Sequence, residues 1–182
     1  MKLRWIRLCN FQSCGPTPLR IDLDDMTYVL GPNGAGKTAV LQALARLFGA
    51  DPALRRVRRS DFHVRVGQSG PPEPRRLWIE AQFEFPELLD NKGIYATVPG
   101  HFAHLQLETA DAVPRVRVRL TATLDQDGDI EELPQYVLQQ DAAGEPEKTS
   151  TLHKAQRNLI QVHYLPARRD PVDQIGYGAT SL

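Results

Sequence analysis

The sequence predicts an α/β fold: a mixed sheet with an antiparallel N-terminal portion, arranged around one helix that begins at a glycine-rich loop. Three observations predict it. Period-two alternation marks strands at 2–8, 19–23, 77–85 and 115–124. The string Gly31-Pro32-Asn33-Gly34-Ala35-Gly36-Lys37-Thr38 runs directly into a helical stripe of Val40, Leu41, Leu44, Leu47 and Phe48. The composition, 182 residues with 41% hydrophobic and 24% charged side chains, is that of a globular domain able to bury a core.

The elements follow in order. Residues 2–8 read as the opening strand, 9–17 as a turn region with Gly15 and Pro16, and 19–23 as a second strand. Asp24 and Asp25 turn the chain. Residues 26–30 (Met-Thr-Tyr-Val-Leu) are β-formers without strong alternation, as in a strand buried on both faces. The helix after Thr38 meets Gly49, a natural C-terminal stop, with Pro52 soon after. An arginine-rich stretch (Arg55, Arg56, Arg58, Arg59, Arg65) leads into a loop over 67–74. In 77–85, Leu77, Ile79, Ala81, Phe83 and Phe85 share one face, and Trp78, Glu80, Gln82 and Glu84 the other. Residues 87–113 carry no clear pattern. The strand 115–124 alternates strictly, Asp127-Gly128 signals a hairpin turn, and 130–138 reads as the return strand. A polar loop over 141–150, a short helix over 152–158, a strand over 159–165 and a polar tail complete the chain.

The glycine-rich string matches the pattern G-x4-G-K-[ST] in full. Glycines let the backbone wrap closely around phosphates, where a Cβ would clash or forbid the required dihedrals. Successive N–H groups form an anion nest, and the positive end of the helix adds to it. The expected nucleotide site is therefore Gly31, Asn33, Gly34, Ala35, Gly36, Lys37, Thr38 and Ala39. Lys37 supplies a charge to the β- and γ-phosphates, and Thr38 supplies a hydroxyl to Mg²⁺. ATP and Mg²⁺ are the expected cofactors.

Two strand-like segments precede the loop, and its interior reads Pro32-Asn33-Gly34-Ala35. This order and this string resemble the ABC, RecF and SMC branch of P-loop ATPases. Within it, the "NFQSC" of 10–14, Ser60-Asp61-Phe62, "LWIEAQFEF" (77–85) and "VHYLPARRDP" (162–171) look like the N-terminal ATPase region of the OLD (overcoming lysogenization defect) family of ATP-dependent endonucleases. The resemblance covers essentially the whole chain. It implies a P-loop NTPase of ABC/SMC type in which 1–182 is the N-terminal part of the ATPase domain. It also implies ATP-joined heads in a homodimer or higher homo-oligomer, and DNA as a partner gripped mainly by other parts of the protein. A role in phage defence or DNA repair follows from the same likeness. A Walker B strand ending in Asp-Glu, a signature motif and an acidic Toprim cluster are not found here, so no catalytic carboxylate is assigned and the fragment alone is expected to hydrolyse ATP poorly. The place comparable to a Q-loop reads Pro166-Ala167-Arg168-Arg169-Asp170 and has no glutamine after the strand. Arg168 or Arg169 either reaches phosphate or a partner protomer, or pairs with Asp170. The alternatives to the endonuclease are a RecF/SMC-like repair ATPase without a nuclease, an assembly platform in which bound ATP is structural and, more distantly, a small-molecule kinase.

Other features read as structural. Arg55–Arg65 is either a DNA-phosphate contact or a solvated face. Arg115, Arg117 and Arg119 read as a solvent face paired with Glu131 and Glu132 on the return strand. The acidic loop 125–129 does not complete a calcium-loop pattern, since Gly stands fourth and Tyr136 twelfth. His101 and His104 lack a supporting third ligand. Cys9 and Cys14 read as two reduced thiols. No apolar run approaches the ~18 residues needed to span a bilayer, and basic residues occupy the N-terminus where a signal peptide is apolar, so a cytoplasmic chain without a membrane partner is expected. The net charge of zero conceals an asymmetry: residues 1–80 hold 13 basic and 7 acidic side chains, and residues 81–150 hold 5 and 13. The basic part contains the glycine-rich loop, so a polyanionic partner is not excluded.

Overall fold

The computed structural model describes residues 1–65, 67, 75–88 and 113–165. Six strands form one sheet in the order β2-β1-β3-β4-β5-β6, every neighbouring pair antiparallel. They are β1 (Lys2–Cys9), β2 (Leu19–Asp22), β3 (Arg75–Glu84), β4 (Arg115–Leu124), β5 (Ile130–Gln140) and β6 (Pro146–Thr151). The helix that follows the glycine-rich loop, α1 (Lys37–Phe48), lies on one face; α2 (Pro52–Arg55) and α3 (Lys154–Arg157) are single turns. The expected α/β class with an antiparallel N-terminal portion stands. The parallel pairing that would make the sheet mixed is reduced, among the described residues, to the isolated bridge Gly49↔Val162.

Alternation decides which side chains meet α1. Ile6 and Leu8 of β1 stand beside Ala81 and Ile79 of β3, which stand beside Val118 and Leu120 of β4, and all are fully buried. Phe48 of α1 meets Phe83 edge to face, with ring centroids 5.5 Å apart. Ala39, Val40, Ala43 and Leu47 fill the rest of this interface. Leu41, expected on the buried stripe, is instead exposed and Leu44 only half-buried, so the apolar stripe is wider than the surface it covers.

The opposite face is where the sequence reading needs its largest correction. Trp78, Glu80 and Gln82 lie on the second face of β3, as the alternation predicts, and all three are buried. Arg119, expected to face solvent opposite Glu131 and Glu132, is 1% exposed and forms an ion pair with Glu80 at 2.6 Å and with Glu145 at 2.8 Å. Arg7 and Arg119 stack on Trp78, and Arg20 and Arg117 on Trp5. Arg117 also donates to Gln82 and Gln140. Glu132 accepts from the backbone N–H of Val57 instead. Charged residues can close a sheet face when each finds a partner there, and long guanidinium stems carry enough carbon to do so.

Three further expectations change. Residues 26–30 are not a strand, and Met26, Tyr28 and Leu30 are exposed; no strand among the described residues pairs with them. Residues 146–150, expected in the polar loop 141–150, form with Thr151 the edge strand β6. Its sequence Pro-Glu-Lys-Thr-Ser-Thr lacks apolar alternation because neither face is well covered, and its order comes from pairing with β5. Residues 159–165 are not a regular strand; only Val162 pairs, exchanging backbone hydrogen bonds with Phe48 and Ala50. The 125–129 segment is the expected hairpin turn, with Gly128 at φ 89°.

Replacing Arg119 by Ala strands the buried Glu80 carboxylate, and a loss of ~3–5 kcal/mol in unfolding free energy is expected. Leu41→Ala, on the exposed side of α1, is expected to cost under about 1 kcal/mol. Urea denaturation followed by circular dichroism measures both.

Candidate nucleotide-binding site

The site is built at the N-terminus of α1. Gly34 and Gly36 adopt φ of 83° and 86°, the left-handed region that side-chain-bearing residues rarely enter. At Gly36 the geometry is doubly restrictive, because a Cβ there would lie 2.8 Å from Ser13 Oγ. Lys37 Nζ donates to the carbonyl oxygens of Gly31 and Pro32, both at 2.7 Å, and so folds back across the loop. Ala35 N–H donates to Pro32 at 3.3 Å, and Val40 N–H starts the helical ladder on Gly36. The first turn of α1 holds no acidic residue, and no side chain caps its free N–H groups. These donors, the helix dipole and the Lys37 ammonium converge on a position suited to an anion.

The cleft in front of the loop is lined by Asn33, Gly34, Gly36, Lys37, Thr38 and Ala39, and also by Gln12 and Ser13. Of the residues expected in the site, all eight are described, and six line this cleft. Gly31 and Ala35 are not among the lining residues; a Cβ on Gly31 would stand 3.2 Å from that of Ala35. Thr38 is exposed, so its hydroxyl is open to a cation bound beside the phosphates. The residues present thus fit a nucleotide phosphate chain, with Lys37 and the loop N–H groups as its holders and Thr38 as one oxygen ligand for Mg²⁺. No carboxylate is among the residues lining the cleft, and no group of three metal-ligating side chains occurs among the described residues. Arg168, Arg169, His101 and His104 lie outside the described residues.

Sequence reading singled out 10–14 only as part of a family likeness and did not place Gln12 and Ser13 at the site. The signal lies in their backbone. Asn10 and Gln12 have φ of 52° and 49°, a conformation unusual for residues other than glycine. The loop doubles back and is pinned to the segment 58–63 by an antiparallel bridge between Phe11 and Phe62. Cys14, next to Ser13, is buried and unpaired, as is Cys9. Burial pushes the Cys14 thiol above its usual range, and a hydrogen bond with Ser13 works against that shift.

The arginine-rich stretch divides. Arg55 is buried and donates to Gly49 O at 2.5 Å and to Asn158, while Arg59 donates to Gly128 O at 2.8 Å. These two are intramolecular ties; Arg56, Arg58 and Arg65 are exposed. At the far end of α1, Arg157 donates to the carbonyls of Leu47 and Arg46, a cation on the negative end of the helix.

A family model described as an AAA ATPase domain matches residues 1–164. The sulfate/thiosulfate import ATP-binding protein CysA of Vibrio cholerae serotype O1 is 41% identical over 64 residues, 34% of this chain and 17% of that protein. The chain therefore matches under a fifth of that curated relative's length. Two solved structures are similar at low identity. One, from work on ATP-driven dimerization and DNA-stimulated activation of SMC ATPases, aligns with a TM-score of 0.45 and 15% identity over 88% of this chain and 77% of that one. The other, an Smc head bound to the C-winged helix domain of ScpA, aligns at 0.44 and 16% over 88% of this chain and 40% of that one.

Two outcomes are expected at this site. Gly36→Ala places a Cβ against Ser13 and forces a residue with a Cβ into positive φ, at a cost of ~1–2 kcal/mol or more. Titration with a fluorescent ATP analogue is expected to show its binding lost. Because its raised pKa leaves less thiolate at pH 8 and the sulfur is buried, Cys14 is expected to react with iodoacetamide far more slowly than a free cysteine until urea unfolds the chain, as mass spectrometry of the alkylated peptide would show.

Proposed function

We propose that this chain, which belongs to the AAA ATPase domain family, is the ATP-binding part of an ATP-dependent DNA endonuclease of the OLD family, acting in phage defence or DNA repair. The observation that carries the nucleotide reading is the cradle itself: two glycines in positive φ, an uncapped helix N-terminus and Lys37 over the loop. In it the loop N–H groups and Lys37 bind the phosphates, and Thr38 holds Mg²⁺. Bound Mg²⁺ supplies charge neutralisation at the phosphates. ATP then joins two such heads or shifts their geometry, and so gates a nuclease domain carried elsewhere in the protein.

The finer reading is supported by the residues that resemble the OLD family. The 10–14 loop and Ser60-Asp61-Phe62, far apart in sequence, meet beside the phosphate cleft. DNA contact by this chain rests with the exposed Arg56, Arg58 and Arg65, while the greater part of the grip is assigned to other parts of the protein. Among the described residues no helix is long and apolar enough to cross a membrane. The second reading, a RecF/SMC-like repair ATPase without its own nuclease, makes the same use of Lys37 and Thr38. In the third, an assembly platform, bound ATP is structural.

Lys37→Ala in the full-length protein is expected to weaken ATP binding by at least ~100-fold, since among the described residues Lys37 is the only cationic side chain lining the cleft. Supercoiled plasmid incubated with Mg²⁺ separates the readings. ATP-dependent nicking that is altered by Lys37→Ala supports the endonuclease. A wild-type protein that hydrolyses ATP and never cuts DNA supports the repair ATPase. A Lys37→Ala protein that assembles and cuts normally supports the platform.

A further inference from the structure

Asp61 lies outside the phosphate cleft and is completely buried. Its carboxylate accepts from Arg46 Nε at 2.7 Å and Nη2 at 3.2 Å, from the backbone N–H of Arg58 at 2.9 Å and from Gln12 Nε2 at 3.0 Å. Arg46 belongs to α1, the helix that starts at the phosphate loop, and Gln12 belongs to the loop that forms another wall of the cleft. Gln12 Nε2 also donates to Gln42 Oε1 on α1 at 2.5 Å. The backbone repeats the same tie: Gln12 N–H donates to Asp61 O at 2.7 Å, and His63 N–H donates to Asn10 O at 2.9 Å. His63 Nδ1 lies 2.7 Å from Gln12 O.

This set of contacts has a mechanical meaning. Asn10 and Gln12 are held in a backbone conformation that side-chain-bearing residues disfavour, and such conformations persist only where the surroundings over-determine them. What the surroundings supply here is Asp61 and its segment. What the strained loop delivers is Ser13, whose hydroxyl stands over Gly36 in the cleft shared with Lys37 and Thr38. A buried carboxylate with a two-point arginine partner, an amide and a backbone N–H is rigid and costly to place, more than the stability of a helix–loop contact requires.

We propose that Asp61 is a positioning residue for ATP: through Arg46 and Gln12 it locks the 10–14 loop against α1, so that Ser13 meets the phosphate chain as a second wall of the cleft. This rests on the reading that the glycine-rich loop binds ATP. Asp61 itself touches no nucleotide; its effect passes through Ser13. The loop thus acts with α1 as one receptor, and fixing Ser13 through Asp61 lowers the ordering cost of binding.

The test measures Mg·ATP affinity by isothermal titration calorimetry, with a thermal melt of each protein, for the full-length chain and its variants. Asp61→Asn is expected to weaken ATP binding about 10-fold, the scale of one hydrogen bond to a charged group. Ser13→Ala is expected to weaken it to a similar or smaller degree. The double variant is expected to bind no more weakly than Asp61→Asn alone, because both changes remove the same contact. Val116→Ala, buried at the opposite end of the strands from Cys9, serves as the stability control and is expected to melt earlier with unchanged ATP affinity. Folded Asp61→Asn protein that binds ATP like wild type overturns the proposal, and so does a double variant whose losses multiply. If Asp61→Asn does not fold, Gln12→Ala decides, since it leaves the Arg46–Asp61 pair intact: weakened binding with no further loss on adding Ser13→Ala supports the tether, while unchanged binding, or losses that multiply as for a separate direct contact from Gln12, overturns it. Wild-type protein that binds no ATP overturns the nucleotide reading and this inference together, whereas ATP binding that ignores Asp61 overturns this inference alone.

Discussion

A sheet has two faces, and the regular helices described here cover only one. Everything else in the structure depends on how the second face is closed. Glu80, at the middle of the central strand β3, is fully buried and sits among Arg119, Arg7 and Gln140. Around that carboxylate the guanidinium groups spread over Trp5 and Trp78 and form a layer that is polar at its contacts and largely carbon in its bulk. Such a layer is stable only when every charge is matched, since a single unpaired guanidinium or carboxylate in that setting costs several kcal/mol. With β3 fixed from both sides, the opposite face becomes a firm seat for α1.

That seat is what gives the phosphate loop its precision. The helix is ~18 Å long at 1.5 Å per residue, and it is fastened along that length. Its C-terminal carbonyls accept from Arg157, and Gly49 lets the chain turn where a Cβ would come within 2.6 Å of Ala45 O. Its last turn is also fixed by Arg46 on Asp61 and by Leu47 and Phe48 in the core, and its earlier turns by Ala39, Val40 and Ala43. Its N-terminus is left open, without an acidic residue or a side-chain cap. A helix held at one end and unsatisfied at the other is a donor array with a defined direction.

The parts legible in the sequence are those that local pattern controls. The glycine-rich loop was complete because its glycines answer to dihedral angles, which do not depend on distant residues. Strands β3 and β4 are legible through alternation on the face that meets α1; in β1 the alternation breaks at Trp5-Ile6, beside a shift in its register with β3. The reading failed wherever a partner decided the outcome. Alternation says that Arg119 and Trp78 lie on one face but not that the face is closed, so Glu80 as the partner of Arg119 was hidden behind the nearer candidates Glu131 and Glu132. The edge strand β6 has no apolar signature to detect. Residues 26–30 and 159–165 have the composition of strands, yet a strand exists only where a neighbour accepts its hydrogen bonds, and among the described residues neither segment has a full one. Gln12 and Ser13 were missed for a related reason: what brings them to the cleft is a buried carboxylate 49 residues beyond Gln12 in the chain.

Binding a triphosphate and hydrolysing it make different demands, and the described residues of the cleft answer the first. Binding needs converging donors and a cation, and the loop, α1 and Lys37 provide these within one short stretch of chain. Hydrolysis also needs a group that orients water against the γ-phosphate, and no residue lining the cleft carries a carboxylate suited to that task. The donors that grip phosphate are all tied to α1 or to the loop pinned beside it, so the grip is stiff. A stiff grip on one side of a nucleotide leaves the opposite side of the γ-phosphate as the place where a further catalytic group can act. On the proposed reading, a domain or protomer approaching from that side would supply such a group, and the tether at Asp61 keeps the gripping side in register.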